Sequence, residues 1–211
     1  AADPEQFKNP NLVSTTNNID QHGWKVADFI NRNYKPESVN LILINTRSSD
    51  DDKFASPFKG FLNQISGKKF IIKERPNSIG LEEDLSLSKT NLVIIASSSR
   101  DFILPTIDRL YKISQTGSKI EVFGHPNWVK AQFLNAEKMQ WLNTRITSSY
   151  YIDYKSSRVK SFIARYLRDY GTDPSEYAFK GFDNGYYFGK LLALYGDKYT
   201  DHLTEDQYEG L

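Results

Sequence analysis

Two short apolar runs, "VNLILIN" at residues 39–45 and "NLVIIAS" at 91–97, constrain the fold more than anything else in the chain. Each is continuous rather than alternating and rich in aliphatic, β-branched side chains, the pattern of a strand buried on both faces. Such a strand needs helices above and below it, and the intervening sequence supplies them. "NIDQHGWKVADFINRNY" places Trp24, Ala27, Phe29 and Ile30 at helical spacing. A polar loop, "TRSSDDDK", leads into "FASPFKGFLNQIS", which predicts a helix stopped at Gly67. "KKFIIKE" and "KIEVFG" predict two more strands, with a loop carrying one helical turn over "RPNSIGLEEDLSLSKT". "RDFILPTIDRLYKISQTG" reads as a helix closed by Gly117, "NAEKMQWLN" as a short helix and "TRITSSYYIDY" as a fifth strand with its exit. "SSRVKSFIARYLRDYG" begins on serine and ends on Gly171, a helix with both caps. Strands alternating with helices predict an α/β fold: a doubly wound, mainly parallel, flavodoxin- or Rossmann-like sheet.

In such sheets ligands bind at the carboxyl ends of the strands, so the loops there are the first place to look for chemistry. After residues 39–45, Asp50, Asp51 and Asp52 lack the glycine and ligand spacing of a calcium loop and read as a solvated acidic segment. After residues 91–97, "SSSRD" opens a helix. Ser97, Ser98, Ser99 and Arg100 offer hydroxyls and a guanidinium to a carboxylate or phosphate, or else an N-cap and a surface charge. After 119–124, "GHPNW" presents His125 as an acid/base group, a ligand contact or a structural residue, and Trp128 as a stacking wall or a cover over the sheet edge. His22 and His202 lie in peripheral segments, and no spacing suggests a zinc site. Walker A, Gly-x-Gly-x-x-Gly and Gly-x-Ser-x-Gly motifs are all absent. No enzyme activity and no cofactor or metal are expected.

The remaining conspicuous stretch is "YGTDPSEYAFKGFDNGYYFGKLL", 170–192. At helical phase Phe179, Phe182, Tyr186, Gly189 and Ala193 form one stripe. The expectation is a helix laid on the sheet, with Gly181, Gly185 and Gly189 allowing close approach. Charged residues interrupt the aromatics, and no apolar run in the 211 residues reaches the length of a membrane span. The net charge is +1 with no basic arm, which removes nucleic acid from the expected partners. Cysteine is absent, so disulfides and thiolate chemistry are excluded. The start "AADPEQFKNP" and the end "YEGL" read as cut from a longer chain.

Taken in order, several segments resemble the second lobe of type I periplasmic binding proteins of the Leu/Ile/Val group. They are "YKPESVNLILINTRSSDDDKFASPFKGFL", "EEDLSLSKTNLVIIASSSRDFILPTIDRL" and "KIEVFGHPNWVKAQFLNAEKMQWLNT", closed by "SSRVKSFIARYLRDYGTDPSEYAFKGFDNGYYFGKLL". "VSTTNNIDQHGWKVADFI" resembles the crossover between lobes. "EYAFKGFD" and "QYEGL" are similar to envelope proteins of Bacteroidetes-type bacteria in which a peptidoglycan-binding LysM module precedes such a domain.

The resemblance implies residues 1–20 as a leader or crossover, 21–195 as the solute-binding-protein-like domain and 196–211 as a truncated extension. It implies a periplasmic or envelope location and a first lobe outside this sequence. The partner would be a small solute, an amino acid or peptidoglycan-related ligand, or another envelope protein, with a homodimer as a further option. The implied ligand edge is Thr46, Phe54, Ser98, Ser99, Arg100, His125, Asn127 and Trp128. Phe54 occupies the place of a ligand-facing aromatic, and "HPN" stands where amino-acid binders meet an ammonium group with an acid. A structural or interaction domain that has lost solute binding is the second reading, and a hydrolase using His125 the third.

Overall fold

The computed structural model describes residues 9, 12–65, 67–205, 208, 210 and 211, with the side chain of residue 65 excepted. The chain divides into two compact units: residues 17–149, and residues 150–211 with 12–16.

The first unit runs α1 (Ile19–Asn33), β1 (Val39–Ile44), α2 (Ser49–Gly60), β2 (Ile72–Arg75), β3 (Thr90–Ile95), α3 (Arg100–Ser114), β4 (Ile120–Gly124), α4 (Ala136–Trp141) and β5 (Arg145–Ile146). The strands form one sheet in the order β2-β1-β3-β4-β5, and every pair is parallel. This is the doubly wound order whose connections reverse direction between β1 and β3.

The continuous apolar runs are explained by where alternate side chains go. Leu41, Leu43, Leu92 and Ile94 face α1 and α2, packing with Val26, Ile30, Phe54 and Phe58. Ile42, Ile44, Val93 and Ile95 face α3, packing with Ile103, Ile107 and Leu110. With both faces covered, residues 41–44 and 92–95 are all apolar, and the buried Asn91 at the start of β3 has its amide hydrogen-bonded to residues 86 and 119. α1 and α2 approach closely at Gly23, where a Cβ would lie 2.1 Å from the Phe54 carbonyl oxygen.

One boundary differs from expectation. α2 starts at Ser49, inside the stretch read as a loop. The Ser48 hydroxyl accepts a hydrogen bond from the Asp51 N–H at 3.2 Å, and Asp50, Asp51 and Asp52 occupy the first turn. Carboxylates there meet the positive end of the helix dipole, so the acidic run is a helix start rather than a solvated loop.

In the second unit, α5 (Ser157–Tyr170) and α6 (Glu176–Tyr195) are joined through Gly171, which adopts φ 71° and donates its N–H to the Leu167 carbonyl at 2.8 Å. α6 corrects the stripe expected from periodicity. Its buried residues are Phe179, Asp183 and Leu191, whereas Phe182 is 42% exposed and Tyr186 54%. A Cβ added at Gly181, Gly185 or Gly189 would meet open space, so these glycines serve no close approach. The phase is set by Asp183, whose carboxylate accepts from the Tyr150 hydroxyl, the Tyr208 hydroxyl at 2.9 Å and the Leu211 N–H at 3.0 Å. A buried carboxylate must keep its donors, and the helix turns to let it.

Candidate ligand-binding site at the strand ends

Three loops leave the carboxyl ends of β1, β3 and β4, which are adjacent in the sheet. At the end of β1, Asn45 is fully buried and every polar atom of its amide is used. Its Nδ2 donates to Asp52 at 2.8 Å and Glu74 at 3.1 Å, and its Oδ1 accepts from the Arg47 N–H at 3.0 Å. This amide ties β1, β2 and α2 together and leads the chain into Arg47, which is held at φ 62° in the left-handed region. Thr46 is half-buried and donates to the Asp51 carboxylate at 2.6 Å. Glu74 accepts from Lys59 at 2.9 Å, and that ammonium, with Asn45, holds its carboxyl below the usual carboxylate range.

After β3, Ser97 is buried and its hydroxyl accepts from the Ser99 N–H at 3.3 Å. Ser98, Ser99 and Arg100 are exposed at the start of α3, and the Arg100 guanidinium lies 5.6 Å from the Phe133 ring. After β4, the Trp128 indole N–H donates to the Ser97 carbonyl at 3.0 Å, fastening this loop to the preceding one. Gly124 makes room for the indole, since a Cβ there would lie 2.3 Å from the Trp128 ring.

His125 is 4% exposed and packs against Phe54 at 5.6 Å between ring centres. Its Nδ1 accepts from the Asn127 N–H at 3.2 Å. Burial lowers its pKa to about 4, with Asp51 opposing and His22 reinforcing that shift.

The expected residues therefore fall into two sets. Phe54, His125 and Trp128 are buried: Phe54 meets His125, whereas Trp128 joins the cluster on the α3 side of the sheet. Ser98, Ser99, Arg100 and Asn127 remain exposed, with Thr46 half-buried between the two sets. The exposed set offers hydroxyls, an amide and a guanidinium, and Arg47 adds a second guanidinium. This surface can hydrogen-bond a polar solute and neutralise an anionic group.

Sequence reasoning passed over Asn45 and placed His22 in a peripheral segment, which the structure corrects. His22 is buried on α1, with Nδ1 2.8 Å from the Thr147 hydroxyl and Nε2 2.9 Å from that of Ser149. Burial lowers its pKa, with Asp20 opposing. No local signal reveals it, because its partners lie 125 and 127 residues away. Among the described residues, no group of three or more His, Cys, Asp or Glu converges as a metal site. No helix among them is long and apolar enough to cross a membrane.

No protein-family profile and no curated protein sequence matches the chain. Solved structures do. The fold is similar to that of an ABC transporter substrate-binding protein from Desulfitobacterium hafniense in complex with Leu, with TM-score 0.61 and 14% identity over 99% of this chain and 62% of that one. It is similar to a putative branched-chain amino acid ABC transporter from Rhodospirillum rubrum, with TM-score 0.60 and 17% identity over 100% of this chain and 62% of that one. A solute-binding protein of an ABC transporter from R. palustris, in complex with benzoate, gives TM-score 0.50 and 16% identity over 95% and 56% of the two chains. The chain thus spans about three fifths of the length of the first two structures. The α/β, doubly wound fold is that of a lobe of these proteins. Their descriptions lend no support to a link with LysM modules or peptidoglycan.

Proposed function

We propose that this chain is a non-catalytic ligand-recognition domain, part of a periplasmic or envelope solute-binding protein. Its ligand edge would be Thr46, Arg47, Ser98, Ser99, Arg100 and Asn127. The observation that carries the reading is the exposed polar rim at the carboxyl ends of β1, β3 and β4, next to the reversal point of a 2-1-3-4-5 parallel sheet. The three neighbours are described as binding or transport proteins, and two of them hold Leu or benzoate. A small carboxylate-bearing solute suits the guanidiniums and hydroxyls of the rim. His125 is buried and its Nδ1 is occupied by a backbone N–H, which supports a structural role over a catalytic one.

A second reading has a specific observation behind it. Phe54 and Trp128 are enclosed, so neither gives this edge an exposed aromatic wall to grip an apolar side chain. That favours a domain that presents this surface to another protein and has lost solute binding. A thermal-shift screen of amino acids, short peptides, muropeptides and benzoate, on this chain and on the full-length protein that contains it, separates the two. Stabilisation by a solute, abolished by Arg100→Ala, supports binding. A flat response across the panel in the full-length protein rejects it.

A further inference from the structure

Beside α1, on the flank of the sheet formed by β4 and β5, lies a cavity of about 410 Å³ that plays no part in the strand-end rim. Its volume lies within the range of small-molecule sites. Its walls are mainly apolar: Val26 and Phe29 from α1, Phe123 from β4 and Ile146 from β5.

Its polar groups are unequal in sign. Arg145 is built into the wall. Its guanidinium carbon sits 5.6 Å from the Phe29 ring centre and 5.7 Å from that of Phe123, and its Nη1 donates to the Glu121 carboxylate. The same carboxylate oxygen, Oε2, also accepts from the Tyr34 hydroxyl at 2.7 Å, so Glu121 braces both groups. A guanidinium carries five N–H donors. Among the described residues, Glu121 is the only side chain that accepts from this one.

Lys25 and Arg32 add two more cations at the mouth, while the one acid lining the cavity, Asp28, is engaged by Arg32 at 2.9 Å. Among the described residues, the Lys25 ammonium has no acceptor and rests 5.1 Å from the Trp24 ring centre. The cavity therefore has unspent donors, an excess of positive charge and an apolar floor.

We infer that this cavity is a second binding site, for a small organic anion with an apolar body, of the medium-chain carboxylate class. The carboxylate would be held by Arg145 with support from Lys25 and Arg32, and its chain would lie along Phe29, Phe123 and Ile146. A guanidinium braced by two rings and an acid loses little freedom on binding, so its remaining N–H groups are preorganised. A cation would meet repulsion here, and a neutral alcohol would leave the charged donors unpaired. This inference is independent of the solute proposed for the strand ends.

The test titrates octanoate into isotopically labelled protein and follows the amides of α1, β4 and β5, with 1-octanol and octylammonium as controls. Octanoate is expected to shift these resonances saturably, with octanol at least tenfold weaker and octylammonium inactive; a tenfold change corresponds to about 1.4 kcal/mol, in keeping with one charge-assisted hydrogen bond. Arg145→Met should remove most of the affinity. Because Arg145 also braces the sheet edge and Arg32 holds Asp28, Lys25→Gln, at an exposed position, provides a variant that breaks no ion pair among the described residues. It should weaken octanoate several-fold and leave octanol unchanged. Octanoate that shifts none of these amides, octanol that binds as well as octanoate, or a folded variant of either kind with undiminished affinity would each overturn the inference.

Discussion

At His125 the backbone N–H of Asn127 donates to Nδ1, so that nitrogen has to be bare for the turn after β4 to close. Burial is what lowers the pKa of this ring, packed against Phe54, to about 4, against 6.5 for an exposed histidine. Between those two values the unfolded chain binds a proton that the folded one refuses. Stability is therefore fully present above pH 6.5 and is lost as pH falls toward 4, by about 2 kcal/mol once screening by the nearby solvent is allowed for. His22, lowered from its ordinary value by burial, adds loss in the same direction. His125→Asn separates the ring's charge from its cap, since an asparagine carbonyl accepts the same N–H without titrating. The expected outcome, read by urea denaturation at neutral pH and near pH 4.5, is a shallower loss in the variant, with the residue due to His22 remaining. An unchanged slope would mean that His125 does not carry the acid sensitivity.

Glycine behaves oppositely in the helices of the two units, and the contrast can be measured. At Gly23 in α1 a Cβ would collide with the Phe54 backbone of α2, so Gly23→Ala must push two packed helices apart. It should cost about 1–3 kcal/mol, the range for overpacking a tight core. In α6, Gly181, Gly185 and Gly189 face open space, and replacing each by Ala should gain up to about 1 kcal/mol from helix propensity. Thermal melts of the single variants give both signs; a loss at Gly185 would show that this face of α6 packs against something.

These elements also show what periodicity can and cannot reveal. β1 and β3 were legible because burial on both faces leaves an uninterrupted apolar run. The three loops at their ends were legible as a location, because parallel sheets concentrate ligands there. The start of α2 was hidden by the reading of an aspartate run as loop, although Ser48 followed by acids is itself a helix-start pattern. The phase of α6 was not legible at all. It depends on Tyr150 and Tyr208 reaching Asp183 from 33 and 25 residues away. The division of the expected site into an enclosed set and an exposed set was equally invisible, since Phe54 meets His125 only when α2 folds onto the end of β4.

At the scale of the molecule the two units differ sharply in what they bury. Every member of both hydrophobic clusters lies between residues 17 and 149, as do all five strands. Within residues 150–211, the buried apolar side chains among the described residues are Val159, Phe179 and Leu191. What else holds that unit is polar and aromatic: the Asp183 cluster and a run of ring contacts linking Tyr170, Tyr166, Phe162, Phe182, Tyr186 and Tyr208. Hydrophobic burial dominates the favourable side of folding, and a segment of about 60 residues is already marginal, so one with so few enclosed apolar side chains is short of core. A fragment of residues 17–149 should consequently fold alone, with a cooperative urea transition and protected amides in β1, β3 and β4. A fragment of residues 150–211 should show partial helicity, a broad melt and little amide protection. The strand-end rim and the flank cavity both lie in the first fragment, so octanoate should shift the same amides there as in the intact chain. A first fragment that fails to fold, or a second that melts cooperatively, would show that the stability of this chain does not follow its buried apolar surface.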